Sequence, residues 1–368
     1  MLLARYLVEL GFSSTQVGVI VTATLLGSAA LTLIAGFRFS RFGARQVLLA
    51  SCLLMAVTGA GFSGLTWFGA LLVVGFIGTL NPSGGDVSLF LPTEQAAIAH
   101  LTDTAERPGV FAVYNLAGAL AGAAGALASA LPPRVAQAAG WDVVRVERLS
   151  FLIYVVTAVA AALLYRRMRV DALPMPTVRT SLHRSRRVVF RLSALFALDS
   201  AGGGFALQSL LVLYLFLRFD LSPTATGATL AATGVLSAFS QLASARIARR
   251  IGLVRTMVYT HLPANACLVL AGIVPEAGVA IALLLVRSAL SQMDVPARQA
   301  LVMRLVDPDE RAAAASVTNV PRSLGAAATP GLAGLMLDSS HFGWPLIAAG
   351  VLKATYDLLL LAQPLDRD

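Results

Sequence analysis

The residues of this chain that could do chemistry stand where charge is expensive. Asp199, in "FALDSAGGGFALQS", lies about a third of the way into an otherwise apolar stretch and is followed by three glycines. An ionised side chain at the centre of a bilayer costs at least ~2.5 kcal/mol on insertion scales, so such a residue is kept for a polar contact or a function. Buried without a permanent partner, Asp199 would take up and release a proton near neutral pH, which makes it the leading candidate for proton coupling or substrate contact. Asp86 and Glu94 follow the same logic in "GGDVSLFLPTEQ", as do Asp294 and Arg298 in "SQMDVPARQ" and Arg287 just before it. Lys353 and Asp357 stand at i, i+4 and are expected to pair on one helix face.

Other chemistries have no residues to carry them. The chain contains no Walker A loop, no HExxH and no GxSxG, so neither direct ATP hydrolysis nor an enzyme is expected. Cys52 and Cys267 sit singly inside apolar stretches and read as small core residues. His100, His183, His261 and His341 are scattered near expected helix ends, where solvated or interfacial roles are favoured over metal ligation. No cofactor or metal is implied.

The elements that must position these residues follow from composition. Of 368 residues 57% are hydrophobic and 13% are charged, whereas a soluble domain carries roughly a quarter charged residues. Apolar stretches recur from end to end, so a signal peptide does not explain them. The net charge of +9 comes from arginines, Lys353 being the only lysine. They stand in short bursts between apolar stretches, the pattern of positive-inside bias and anionic headgroups rather than of nucleic-acid binding.

At about 20 apolar residues per crossing, spans are expected at 15–37, 46–65, 67–90, 109–131 and 150–165, then at 191–217, 224–245, 255–274, 278–297, 311–336 and 343–363. The segment 166–190 holds seven arginines and two prolines and reads as a cytoplasmic linker between two halves, 1–165 and 191–368. Alternation from that linker places the other arginine-rich loops and the C-terminus on the same, cytoplasmic, side.

The halves are duplicated. "FSSTQVGVIVTAT" (12–24) aligns with "LSPTATGATLAAT" (221–233), matching Gly18 to Gly227 and Ser13 to Ser222. "PTEQAAIAHLTDTAER" (92–107) aligns with "PARQALVMRLVDPDER" (296–311), so that Glu94 meets Arg298 and Asn115 meets Asn319. Parallel repeats of this kind are related by an axis along the membrane normal. Glu94 and Arg298 are therefore expected to form a cross-bundle pair, and Asn115, Asn319 and Arg322 to face a polar cavity between the halves. Met1 aligns inside the span that starts near Arg191, so "MLLARYLVEL" reads as the last third of a first helix whose beginning is missing, eleven spans of an expected twelve.

The loop "GFRFSRFGARQV" (36–47), with Gly36, Arg41, Gly43 and Arg45, resembles the signature loop between the second and third helices of the major facilitator superfamily. Its degraded copy "SARIARRIGLVR" (244–255), with Arg250 and Gly252, sits where that family repeats it. The family's aspartate is Ser40 here. "DTAERP" (103–108) and "DPDERA" (307–312) have the Asp-to-Glu spacing of a capping box, and Glu106–Arg107 and Glu310–Arg311 are further expected to meet the loop arginines Arg41 and Arg250 as a cytoplasmic gate. Gly118, Gly122 and Gly125 share a helix face in a stretch similar to the antiporter glycine motif without its Gly-Pro, and small-residue packing accounts for them.

The resemblance implies an all-α, two-fold pseudosymmetric bundle of the inner or plasma membrane. It further implies a monomeric secondary transporter that moves a small solute or ion by alternating access, with protons as the coupling ion and efflux favoured over uptake. A membrane sensor or scaffold on the same fold is the competing reading.

Overall fold

The computed structural model describes residues 2–38, 43–80, 90–102, 107–168, 182–307 and 310–363, and their regular structure is helical. The first half comprises α1 (Leu2–Glu9), α2 (Ser14–Arg38), α3 (Ala44–Gly64), α4 (Phe68–Ile77), α5 (Phe90–Leu101), α6 (Arg107–Ala128), α7 (Leu131–Ala139), α8 (Val143–Ser150) and α9 (Leu152–Arg167). The second comprises α10 (Arg186–Phe205), α11 (Gln208–Phe219), α12 (Pro223–Ile251), α13 (Leu253–Ile273), α14 (Ala277–Ser291), α15 (Asp294–Leu305), α16 (Arg311–Ala328), α17 (Pro330–Ser339) and α18 (Trp344–Leu361). Among the described residues, eight helical segments are long and apolar enough to cross a membrane. The chain is a multi-pass membrane protein.

Several crossings are less regular than apolar length suggests. The stretch 67–90 contributes only the short helix α4 and the first residue of α5, with 81–89 outside the described residues. The crossings at 191–217 and 311–336 are each broken, between α10 and α11 and between α16 and α17. Residues 132–149, expected as a connecting loop, are mostly helical. The left-handed Gly140 (φ +67°) turns α7 into α8, and Asp142 caps α8 by accepting from Arg145 N at 3.2 Å.

Residues matched by the repeat take matching places. Ser13 and Gln16 cap α2 reciprocally (Gln16 N to Ser13 Oγ 3.2 Å, Ser13 N to Gln16 Oε1 3.0 Å), and Ser222 caps α12 through Ala225 N at 3.2 Å. One residue out of that register, Tyr6 donates to the carbonyl of Phe62 near the end of α3, and Tyr214 donates to that of Ala271 near the end of α13. A Cβ on Gly18 would lie 2.3 Å from the carbonyl oxygen of Pro330, and one on Gly227 would lie 2.6 Å from that of Ala126. Glycine is thus required where α2 crosses α17 and where α12 crosses α6, the two main approaches of one half to the other.

Those approaches lie on the face opposite the linker. There Asp338 of α17 also accepts from Ser14 N (2.7 Å) and Thr15 N (2.8 Å), completing the N-terminus of α2 from the other half. Toward the linker the same helices show bare apolar surface: Ile34 on α2, Val113 and Leu116 on α6, and Phe239 and Leu242 on α12 are exposed. The halves therefore touch on the far face, and toward the linker these apolar side chains have no protein cover among the described residues. The glycine stripe of α6 is a correction to the sequence reading. No described atom lies within 4 Å of a Cβ built on Gly118, Gly122 or Gly125, so the stripe borders open space instead of packing a neighbour.

Candidate functional site

Buried polar side chains of the second half converge from four helices. Asp199 comes from α10, His261 and Asn265 from α13, Asp294 and Arg298 from α15, and Lys353 and Asp357 from α18. These charged groups are 0–8% exposed. Helical spacing does the local positioning, since 294 and 298, 261 and 265, and 353 and 357 are i, i+4 pairs on one face each. Asp199 lies 13 residues beyond Arg186, or roughly 20 Å from the linker end at 1.5 Å per residue, which is near the middle of the α10–α11 crossing.

Asp199 is the hub. Its Oδ1 accepts from Lys353 Nζ at 2.6 Å and its Oδ2 from Arg298 Nη1 at 3.0 Å. Arg298 Nη1 also lies 3.5 Å from Asp294 Oδ2, and its guanidinium sits 5.5 Å over the Phe196 ring. His261 bridges to a second carboxylate. Its Nδ1 is 2.9 Å from Asp357 Oδ1 and its Nε2 is 4.0 Å from Asp199 Oδ1. Asn265 Nδ2 donates to Asp357 Oδ2 at 2.8 Å. Three carboxylates, two full cations and an imidazole are therefore linked in a part of the protein that water screens little.

Four sequence expectations are corrected by this geometry. Asp199 has two permanent cationic partners rather than none. Lys353 and Asp357 do not pair with each other, because each meets a side chain on another helix at hydrogen-bond distance. Glu94 and Arg298 do not meet: Glu94 accepts from the hydroxyls of Tyr114 and Tyr165 in the first half, while Arg298 is held in the second. His261 is a buried member of the cluster, not an interfacial residue. The sequence missed it because its partner Asp357 is 96 positions away.

The remaining candidates are spread around this centre. Arg287 on α14 and Arg322 on α16 both lie within the field of Asp199, and Arg322 donates to Asn319 Oδ1 at 3.3 Å. Asn115 is exposed on α6, on the linker half of that helix. Asp86 lies outside the described residues.

At the linker face Arg45 donates to the carbonyl of Arg166 at 2.7 Å, capping α9. Gly43 precedes α3, Gly36 belongs to the last turns of α2, and Gly252 joins α12 to α13 with φ +89°, a conformation that favours glycine. Arg250 is exposed in the last turn of α12. Arg41 and Glu106 lie outside the described residues, as do the side chains of Arg107 and Arg311, which begin α6 and α16.

Glu310 departs from its expected roles. It neither caps its own helix nor meets Arg250; its carboxylate accepts from the backbone N–H groups of His183 (2.7 Å), Arg184 (3.0 Å) and Ser185 (2.9 Å), just before α10. Three donors on one carboxylate favour its charged form. The bonds from His183 and then Ser185 lower its pKa to about 2. Because folding lowers this pKa, the clasp is complete above the ordinary glutamate range and is lost as pH falls through about 2. Glu310→Gln is expected to make the 168–185 connection more readily cleaved by protease at neutral pH, and wild type to approach that behaviour only below about pH 3. Equal cleavage rates for the two proteins at neutral pH would show that the clasp does not restrain the linker.

Comparison with known proteins agrees with this architecture. A family model described as Major Facilitator Superfamily matches residues 1–293. An uncharacterized membrane protein of Saccharomyces cerevisiae is 26% identical over 397 residues, spanning 97% of this chain and 88% of its own. Among solved structures, the nucleoside transporter NupG matches with a TM-score of 0.72 at 14% identity, over 98% of this chain and 93% of NupG. The inward open xylose transporter XylE from E. coli matches with a TM-score of 0.72 at 14% identity, over 95% of this chain and 86% of XylE. At such identities the solved structures speak for the fold.

Proposed function

We propose that this chain, which belongs to the Major Facilitator Superfamily and is therefore a membrane transporter, moves a small solute by proton-coupled alternating access. The moving parts in this reading are the halves 1–165 and 191–368, joined by the linker 166–190. The observation that carries it is the combination of halves that touch on the face away from the linker and a buried charge cluster at mid-depth beside the opening. If the arginine-rich linker is cytoplasmic, as positive-inside bias favours, the structure corresponds to an inward-open protein with a cytoplasmic C-terminus in an inner or plasma membrane. We favour export over uptake because the glycine stretch of α6 is similar to the antiporter motif.

The proton is best assigned to the His261–Asp357 end of the cluster. Asp199 is tied to Lys353 and Arg298 at 2.6 and 3.0 Å, whereas the imidazole of His261 stands between the two carboxylates and can carry a proton on either nitrogen. A proton gained at His261 would compete with Lys353 and Arg298 for Asp199 and loosen the tie between α10, α15 and α18.

The test is solute flux in proteoliposomes under an imposed pH gradient. Wild type is expected to accumulate a solute against its gradient, and His261→Gln to retain downhill flux while losing acceleration by the pH gradient. Absence of flux for a broad solute panel would remove the transport reading. Unchanged pH dependence in His261→Gln would remove the assignment of the proton.

A further inference from the structure

We infer that the solute carries a negative charge, and that Arg287 and Arg322 receive it. This rests on the transporter reading and names the class of its substrate. Around Asp199, four cations (Arg287, Arg298, Arg322 and Lys353) share one region with three carboxylates, Asp199, Asp294 and Asp357. The carboxylates are all occupied. Asp199 holds Lys353 and Arg298, Asp294 holds Arg298 from the next turn, and Asp357 holds His261 and Asn265. No described carboxylate in the cluster is left to attract a cationic solute.

The arginines are the reverse. Arg287 makes no hydrogen bond or ion pair among the described residues, and its Nε is buried without an acceptor. Among the described residues Arg322 reaches only the neutral amide oxygen of Asn319, and its Nε is likewise buried without an acceptor. Both side chains are half-buried, with Nε shut away from water, and a partly desolvated cation without an anion is costly unless something else supplies the charge. Each guanidinium feels the charge of the Asp199 hub, so an anion held at either would be felt by the cluster that we assign to the proton. Guanidinium also suits the ligand, because its planar fork can bind a carboxylate or a phosphate with two parallel hydrogen bonds.

The repeat gives a second, independent pointer. The position that matches Arg287 in the first half at the offset of the leading alignment is Gly78, which carries no charge. The excess positive charge is therefore local to the second half rather than a property of both halves.

The experiment compares three probes of one shape, benzoate, benzamide and benzylamine, by the thermal stability of the full chain in detergent at neutral pH and fixed ionic strength. Benzoate is expected to stabilise wild type most. Arg287→Gln and Arg322→Gln are each expected to weaken its apparent affinity roughly tenfold or more, while keeping the baseline stability of a folded protein. Arg287→Lys should recover part of the loss, since the charge remains and the fork does not. Preference for benzylamine, equal effects of the three probes, no effect of any of them, or an undiminished benzoate effect in the folded double variant would each overturn the proposal. Flux distinguishes its failure from that of the transporter reading: transport of a neutral or cationic solute sinks the anion site alone, and anion binding without flux sinks the transport reading alone.

Discussion

Asp199→Ala should destabilise the folded protein by about 3–5 kcal/mol, the range found when one partner of a buried ion pair is removed. The reason lies in what remains. Lys353 Nζ and Arg298 Nη1 approach Asp199 at 2.6 and 3.0 Å, and both residues are buried. Arg298 retains Asp294 at 3.5 Å, whereas Lys353 keeps no carboxylate at ion-pair distance among the described residues. Most of the loss should therefore come from the stranded lysine. Asp199→Ala combined with Lys353→Met is accordingly expected to recover more than half of it, because replacing a buried pair by apolar groups of similar volume is often close to neutral. Denaturant or thermal unfolding in detergent measures both values. A double variant no more stable than Asp199→Ala would show that the aspartate does not act through Lys353.

Gly18→Leu should open the face away from the linker. A Cβ at this position would already lie 2.3 Å from the Pro330 carbonyl oxygen and 3.1 Å from the Gly331 Cα, and neither backbone atom can rotate aside. Overpacking of this kind costs about 1–3 kcal/mol in a well-packed interior. Here that cost falls only on the state in which α2 and α17 touch. A penalty of this size corresponds to roughly one to two powers of ten in the ratio of the two states at 1.4 kcal/mol per tenfold. A single cysteine introduced on the apolar lining of α12 should then react faster with a membrane-impermeant thiol reagent added on the far side. Gly227→Leu, at the matching crossing of α12 and α6, is expected to act in the same direction. Unchanged labelling in both variants would mean that these crossings do not govern closure.

The helices were legible because a crossing is written locally, as about 20 apolar residues. The signals that failed are tertiary. Lys353 and Asp357 obey a local pairing rule worth only a few tenths of a kcal/mol, and full-strength partners on α10 and α13 override it. His261 was assigned to a helix end because nothing near it in sequence reveals Asp357. Glu310 has the spacing of a capping residue for its own helix, yet its carboxylate closes the start of another. Asp338 carries no sequence signal at all, since the donors it meets belong to Ser14 and Thr15 in the other half. Asp199, Asp294, Arg287, Arg298 and Arg322 were legible for the opposite reason: a charge in an apolar stretch is conspicuous without knowledge of its partner.

The cap that Asp338 lends to α2 ties this gate to the activity of water. Two backbone donors at the start of α2 have their acceptor on the opposite half, so separation of the halves at this face leaves Ser14 N, Thr15 N and the carboxylate to be hydrated together. Solvent thus enters as a stoichiometric participant in opening, and solutes excluded from protein surfaces should hold this face shut. In the alternating-access reading proposed above, part of a helix's own hydrogen bonding lies across the moving joint, so that hydration of one helix end would keep time with the opening of the pathway.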